Sequence, residues 1–250
     1  MPLSPDEIER YKRQIMIADW GTPGQERLRA ASVFIAGAGG LGSPVSMYLT
    51  AAGVGTIRIC DCGEPELSNL NRQLLHDDTR IGTNKALSAR QTLERINPHV
   101  NVIALPETIT DRGIAGLAGD ATLIIDCLDN FETRHVLNRY AVSRHIPLVH
   151  GAIHGLSGQL SVFHSPRTPC LACIFPPGVP KEIFPVAGFT PGVIGLLQAT
   201  ETVKIILGLG APLYGTLLMW DGAEADFQKI PICKSPGCTV CGRQPSDRAI

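Results

Sequence analysis

The chain has 250 residues, a formal net charge of −1, 44% hydrophobic content and 18% charged content. These are globular values that allow a sizeable core, in one large α/β domain or a domain with a small appendage. Near-neutral charge removes any general attraction to nucleic acid or anionic membrane, and no apolar run reaches the roughly 18 residues of a membrane span.

The polar, acidic start through Asp6 and Glu7 lacks the apolar stretch of a secretory signal, so a cytoplasmic protein is expected. A helix is predicted over 5–19, where Ile8, Tyr11 and Ile15 share a side and Ser4-Pro5 offers an N-cap and a helix-compatible proline. A strand over 32–36 runs into Gly37-Ala38-Gly39-Gly40-Leu41-Gly42, and a helix follows to about Ala52, ended by Gly53 and Gly55. The next strand, over 56–61, ends on Asp61. A helix over 84–96 stops at Asn97-Pro98. Strands over 100–105 and 121–126 follow, the second a continuous apolar run of the buried parallel kind. A helix over 131–145 and strands over 147–153 and 158–163 come next. Residues 164–192 are rich in proline and glycine and read as a long irregular loop. A helix over 192–207 and short strands over 216–220 and 225–230 complete the pattern, and the tail from Ser246 reads as disordered.

Alternating strands and helices up to about residue 150 predict an α/β fold. It is a doubly wound, Rossmann-like mixed sheet, parallel in the N-terminal half, with antiparallel strands added at the C-terminal end. One domain over 1–245 holds a helical segment at 1–30, a nucleotide-binding part at 31–150 and a cysteine-bearing part at 151–245, with 246–250 as a tail.

Gly37, Gly39, Gly40 and Gly42 let backbone approach phosphates and aim a helix N-terminus at negative charge. The strand before, the helix after and Asp61 turn the bare glycine pattern into a nucleotide fingerprint. Asp61 suits a ribose hydroxyl, or else caps the next turn. Asn69, Arg72, Gln73 and Lys85 follow at a spacing that lines the mouth of the same crevice, or else form a solvated loop and a helix-surface lysine. Arginine offers phosphate a bidentate fork and lysine a point charge. A nicotinamide site needs no such cations, whereas a site that breaks a triphosphate does. Asp129 and Asn130 follow the buried strand at the sheet edge where open α/β folds bind ligands. Mg²⁺ on a nucleotide takes one or two protein carboxylates, so Asp129 is the magnesium candidate and Asp126 the second choice. Asp129 also suits the N-cap of the following helix.

Eight cysteines in a cytosolic chain point to metal or redox chemistry. Cys170-x-x-Cys173 and Cys238-x-x-Cys241 sit on turn-like knuckles and supply four thiolates, the set that structural Zn²⁺ takes. The 64 residues between them exceed a compact zinc ribbon. A redox pair or an iron–sulfur cluster is the alternative, and Cys233 has the wrong spacing to join a knuckle. His150 and His154 read as hydrogen-bonded structure, and Arg10-Tyr11-Lys12-Arg13-Gln14 as a solvated helix face.

These residues, in this order, resemble the MoeB/ThiF/HesA family, relatives of the ubiquitin-activating enzymes. The resemblance covers nearly the whole chain. It rests on Arg10–Gln14, the glycine loop, Asp61, Leu67-Ser-Asn69-Leu-Asn-Arg72-Gln73-Leu-Leu-His76, Lys85, Asp126-Cys-Leu-Asp129-Asn130, the run from Gly192 to Lys204 that includes Gln198, Asp221-Gly222 and both cysteine pairs. It implies an adenylyltransferase that uses ATP and Mg²⁺ to activate the C-terminal glycine of a ubiquitin-like sulfur carrier ending in Gly-Gly. It further implies zinc on the four cysteines, carrier binding by the 151–245 part, and a homodimer in which Arg13 reaches the partner's ATP. Arg72, Lys85, Asp129 and Arg13 become the catalytic set. The glycines, Asp61, Asn69, Gln73 and Asn130 become the nucleotide-binding set.

Two departures modify this expectation. Members commonly carry a cysteine in the loop before the Gly192 helix, where an ungapped match puts Lys181, and no cysteine lies between Cys173 and Cys233. Activation without a covalent step through that loop is therefore expected. Many members also carry a second acidic residue two positions after Asp61, where this chain has Gly63. The length leaves no room for an appended rhodanese domain, so sulfur is expected from elsewhere. Three competing readings stand beside this one. They are adenylation of a peptide or small carboxylate, a nicotinamide oxidoreductase, and a zinc-stabilised scaffold without activity.

Overall fold

A computed structural model of the chain describes residues 2–178 and 185–242. Lys181 and the predicted tail therefore lie outside the described residues. The strands are β1 (Ser32–Ala36), β2 (Thr56–Cys60), β3 (Asn101–Leu105), β4 (Leu123–Asp126), β5 (Leu148–His154), β6 (Ser157–Phe163), β7 (Thr216–Asp221) and β8 (Asp226–Pro231). They form one sheet in the order β3-β2-β1-β4-β5-β6-β7-β8. Pairings from β3 through β5 are parallel, and those from β5 through β8 are antiparallel. The predicted mixed sheet is thus present.

The helices are α1 (Pro5–Ile15), α2 (Gly21–Ala30), α3 (Gly42–Ala52), α4 (Lys85–Ile96), α5 (Ile114–Ala118), α6 (Phe131–Arg144), α7 (Leu171–Ile174) and α8 (Phe189–Leu207). Successive strand residues point to opposite faces, so β1, buried along its length, feeds two cores. Val33 and Ile35 join Val45 and Leu49 of α3, Leu93 of α4 and Ile194 of α8 on one face. Phe34 and Ala36 join Leu117 of α5, Leu137 of α6 and Leu171 of α7 on the other. A helix layer on each face is what a parallel core requires.

Chain order reverses between β1 and β4. The path from β1 runs outward to β2 and β3, then returns to place β4 on the other side of β1. In sheets of this order the ligand crevice lies outside the carboxyl ends of the strands at the reversal, here beyond β1, β2 and β4.

Local chemistry sets the boundaries. Ser4 caps α1 in a capping box with Glu7. The first helix stops at Ile15, short of the predicted 19, and Gly21 at φ 58° turns the chain into α2. Asn84 caps α4 by accepting the Ala86 and Leu87 N–H groups at 2.8 and 3.3 Å. Helix α8 begins at Phe189, earlier than predicted, because Pro191 fits a first turn whose amides need no intrahelical acceptor. Two short helices, α5 and α7, were not expected from sequence. Among the described residues, no helix is long and apolar enough to cross a membrane.

Candidate active site

The glycine loop leaves β1 at the strand-order reversal. Gly37 holds φ 101°, and a Cβ there would lie 2.7 Å from the Cys127 carbonyl oxygen. A Cβ on Gly42 would lie 2.0 Å from the Gly37 carbonyl oxygen. Only glycine permits so tight a return. It delivers the start of α3, where Pro44 has no N–H and the Ser43 and Val45 amides donate to the Gly39 and Leu41 carbonyls. The Gly42 N–H and the positive end of an 11-residue helix are what this turn offers an anion.

Distant segments meet this loop. A Cβ on Gly39 would sit 3.5 Å from Gln73 Nε2, and one on Gly40 would sit 3.5 Å from Arg72 Cδ and 3.2 Å from Pro191 Cγ. The Arg72 guanidinium is anchored by donating to Ser68 O at 3.0 Å and Asn71 Oδ1 at 2.9 Å, and forms no ion pair among the described residues. Gln73 is 5% exposed, yet its Oε1 accepts no hydrogen bond. A buried polar atom of this kind costs about 1–3 kcal/mol unless a ligand supplies the partner. Asn69 is buried beneath the run, its Oδ1 accepting the Glu66 N–H at 3.3 Å.

Asp61 sits just past β2. Its Oδ2 accepts the Ala38 N–H and its Oδ1 the Gly63 N–H, both at 2.8 Å. The turn-capping role foreseen as an alternative is therefore real. Each carboxylate oxygen keeps a further lone pair for a hydroxyl donor. Asn84 donates to the Asp61 carbonyl at 2.9 Å, and the Lys85 N–H donates to Gly63 O at 2.8 Å, so Asp61 and Lys85 form one unit.

Lysine at the first position of a helix faces the positive end of the dipole, an unfavourable place for a cation. That arrangement becomes favourable once an anion occupies the crevice. A side chain at position 63 would crowd this pair: a Cβ on Gly63 would lie 3.2 Å from Asp61 Oδ1 and 3.9 Å from Lys85 Nζ.

At the end of β4, Asp126 is fully buried. Its Oδ2 lies 2.7 Å from His150 Nδ1 and 3.4 Å from Arg134 Nε, and its Oδ1 accepts the Leu128 N–H at 3.1 Å. These partners commit Asp126 to structure, which removes it as the second magnesium choice. Burial pushes the His150 pKa down, against the pull of Asp126, so the ring stays neutral and hydrogen-bonded, as expected of it. Arg134 donates to the Leu128 and Gly151 carbonyls and so shapes the loop that carries Asp129. The N-cap of α6 is Asn130, whose Oδ1 accepts the Thr133 N–H at 2.9 Å. This corrects the alternative reading of Asp129 as that cap. Asp129 is left exposed at the crevice, touched only by Asn130 Nδ2 at 3.4 Å among the described residues.

Arg13 is the one predicted catalytic residue that this chain does not bring to its own crevice. Its neighbour Gln14 donates to Ala52 O at 3.1 Å, at the C-terminal end of α3. The glycine loop is at the other end of that 11-residue helix, about 16 Å away.

The second cysteine pair lands beside the first. All four sulfurs lie within 4.8 Å of one another, with Cys170–Cys238 at 3.6 Å and Cys173–Cys241 at 3.3 Å. A tetrahedron with metal–sulfur bonds of about 2.3 Å has edges of about 3.8 Å, so the donor set fits one ion. Burial raises the Cys170 and Cys241 thiols. At Cys238 the same burial effect is outweighed by the Cys241 and Val240 amides and the neighbouring thiols, which bring it down to about 7. Full deprotonation of the cluster therefore calls for a cation. Asn138 of α6 donates to Cys170 Sγ at 3.6 Å and accepts the Leu171 N–H at 3.0 Å, a support for the ligand that sequence did not suggest. Gln198 and Arg134 were also missed as shapers of the site. Gln198 is fully buried and donates to Asp126 O at 2.8 Å. Its signal was a polar residue on the buried stripe Ile194-Gln198-Thr202 of α8.

The fold and crevice define a doubly wound α/β protein whose glycine loop is met by Arg72 and Gln73 and by the Asp61–Lys85 unit. The chain belongs to the ThiF family, whose profile matches residues 11–240. It is 41% identical over 261 aligned positions to the sulfur carrier protein adenylyltransferase of Thermus thermophilus, covering 100% of this chain and 96% of that protein. It is 40% identical to the adenylyltransferase and sulfurtransferase MOCS3 of Mus musculus over 98% of this chain, which spans only 55% of that relative. Among solved structures, Escherichia coli MccB with MccA-N7isoASN superposes with a TM-score of 0.84 at 24% identity, over 96% of this chain and 76% of that one. SeMet PaaA gives 0.80 at 27% identity, over 93% and 76%. The family resemblance read from the sequence is thus borne out, and with it the expectation of an enzyme.

Proposed function

We propose that this chain uses ATP to adenylate the C-terminal glycine carboxylate of a ubiquitin-like sulfur-carrier protein, within molybdopterin, thiamine or a related sulfur-transfer route. The observation that carries this reading is the convergence of Arg72, the orphaned Gln73 amide and the Lys85–Asp61 unit on the glycine loop. The names of the similar relatives support the same chemistry.

A carboxylate is already ionised at neutral pH, so the nucleophile needs no general base. One of its oxygens attacks the α-phosphorus, and the bond to the bridging oxygen breaks. Pyrophosphate leaves with that electron pair. The chain's task is positioning and charge neutralisation. The glycine-loop backbone and the positive end of α3 seat the phosphates, and Asp61 and Gln73 offer acceptors to the ribose hydroxyls. Arg72 and Lys85 balance the charge that builds on the pentacoordinate phosphorus and the leaving group. Mg²⁺ held by Asp129 supplies further neutralisation of the triphosphate when bound. Arg13 serves the crevice of a second copy in a homodimer. Zinc on Cys170, Cys173, Cys238 and Cys241 ties the Pro169 segment to the C-terminal segment, and a closed four-thiolate site leaves no position for substrate.

The test is ATP–pyrophosphate exchange with a small carrier ending in Gly-Gly. Exchange that depends on the carrier's terminal glycine supports the reading. Exchange seen only with a peptide or small acid moves the substrate to that second class, which the absence of a cysteine between Cys173 and Cys233 favours.

A further inference from the structure

One buried titratable side chain outside the residues assigned above touches both walls of the crevice. His76 follows the Asn69–Gln73 run and is 6% exposed. Its Nε2 lies 2.9 Å from the Ala38 carbonyl in the glycine loop, and its Nδ1 lies 2.9 Å from Ser88 Oγ on α4. A carbonyl only accepts, so Nε2 carries the hydrogen. The Ser88 hydroxyl then donates to Nδ1, while its lone pairs face Arg80 Nη1 at 3.4 Å. Three charged groups surround the ring: Lys85, Asp61 and Arg80. Burial, with the two cations, keeps the ring neutral against the pull of Ala38 O and Asp61.

The connectivity is specific. Ala38 gives its N–H to Asp61 and its carbonyl to His76, so the residue is clamped from both sides. Ser88 is three residues after Lys85, on the same face of α4. The ring is therefore a rigid strut between the backbone that would seat the phosphates and the helix end that carries a cation toward them.

We propose that His76, as its neutral Nε2–H tautomer, is a positioning residue that sets the spacing between the glycine loop and the Lys85 end of α4, and through it the affinity for ATP. The proposal rests on the adenylation reading above.

The conservative variants separate the two contacts. The amide of His76→Gln reaches the Nε2 position and can donate to Ala38 O, whereas the shorter amide of His76→Asn reaches only the Nδ1 position and Ser88. Calorimetric titration with MgATP is expected to give His76→Gln an affinity within about threefold of wild type. His76→Asn and His76→Phe should each be at least about tenfold weaker. Thermal unfolding should place the Gln and Asn variants together, so that affinity and stability part company. The imidazole ¹⁵N spectrum of the wild-type chain at pH 7 should show the Nε2–H tautomer. Should His76→Phe fail to fold, the Gln and Asn pair carries the test. A wild type that binds ATP no better than the Gln and Asn variants overturns the role of His76. So does an affinity loss that merely tracks lost stability, or a ring protonated at Nδ1. A wild type that binds no ATP overturns the nucleotide reading itself.

Discussion

Arg72 carries a full charge in the crevice, with carbonyl oxygens as its only hydrogen-bond partners among the described residues. Truncation should therefore harm chemistry and spare the fold. Arg72→Ala is expected to lower the exchange rate by about 10²–10³-fold, the usual cost of one transition-state donor, with an unchanged melting temperature. Gly42 is the opposite case. The added methyl of Gly42→Ala would sit 2.0 Å from the Gly37 carbonyl oxygen, so the loop must open. A loss of about 1–3 kcal/mol in urea unfolding is expected, together with weakened ATP binding. At this scale the sequence was informative about residue types near an anion, because glycine, arginine and lysine spacing follows local chain geometry. It did not reveal which side chains are committed to structure. Asp126 and Asp129 are both acids after a buried strand, and only the fold shows that His150 and Arg134 claim the first.

Strands β1, β2 and β4 and helices α3 and α4 were legible because apolar runs, the Gly53 stop and the Asn97-Pro98 break delimit them. Helix α2 carries Pro23 and Gly24 and has no side-chain cap, so its local signal is poor, and packing decides it. Helices α5 and α7 are too short to show a period. The cap of α6 is an element-scale property, and Asn130→Ala should cost about 1 kcal/mol in chemical denaturation. Exchange activity should fall with it, since the same turn presents Asp129. The approach of Pro191 to Gly40 could not be foreseen, because it joins two ends of the chain through α8 and the sheet.

At the scale of the molecule, one sheet runs from the crevice into the antiparallel strands, and the cysteine cluster stands on the same face as α6 and α7. Cys170→Ser should lower metal content and thermal stability, while protein that remains folded keeps exchange activity. Metal uptake must displace protons from Cys170 and Cys241, whose thiols are raised by burial. Occupancy measured against a competing chelator should thus weaken as pH falls. The pairing of the two Cys-x-x-Cys knuckles was legible from residue type alone. The placement of Arg13 across α3 from its own crevice was not, since it depends on how α1 docks against the far end of that helix.

Helix α6 has Asn130 at its head, beside Asp129, and Asn138 two turns on, bonded to Cys170. The Asp129–Asn130 turn and the thiol cluster are thus grips on one rod, about 12 Å apart. Linkage makes such an arrangement reciprocal: whatever steadiness an ion on the cysteines lends the Asn130 turn, a nucleotide at that turn returns to the ion. Saturating ATP should accordingly raise metal occupancy at a fixed chelator concentration, and an Asn138→Ala chain should lose that gain while keeping all four thiols.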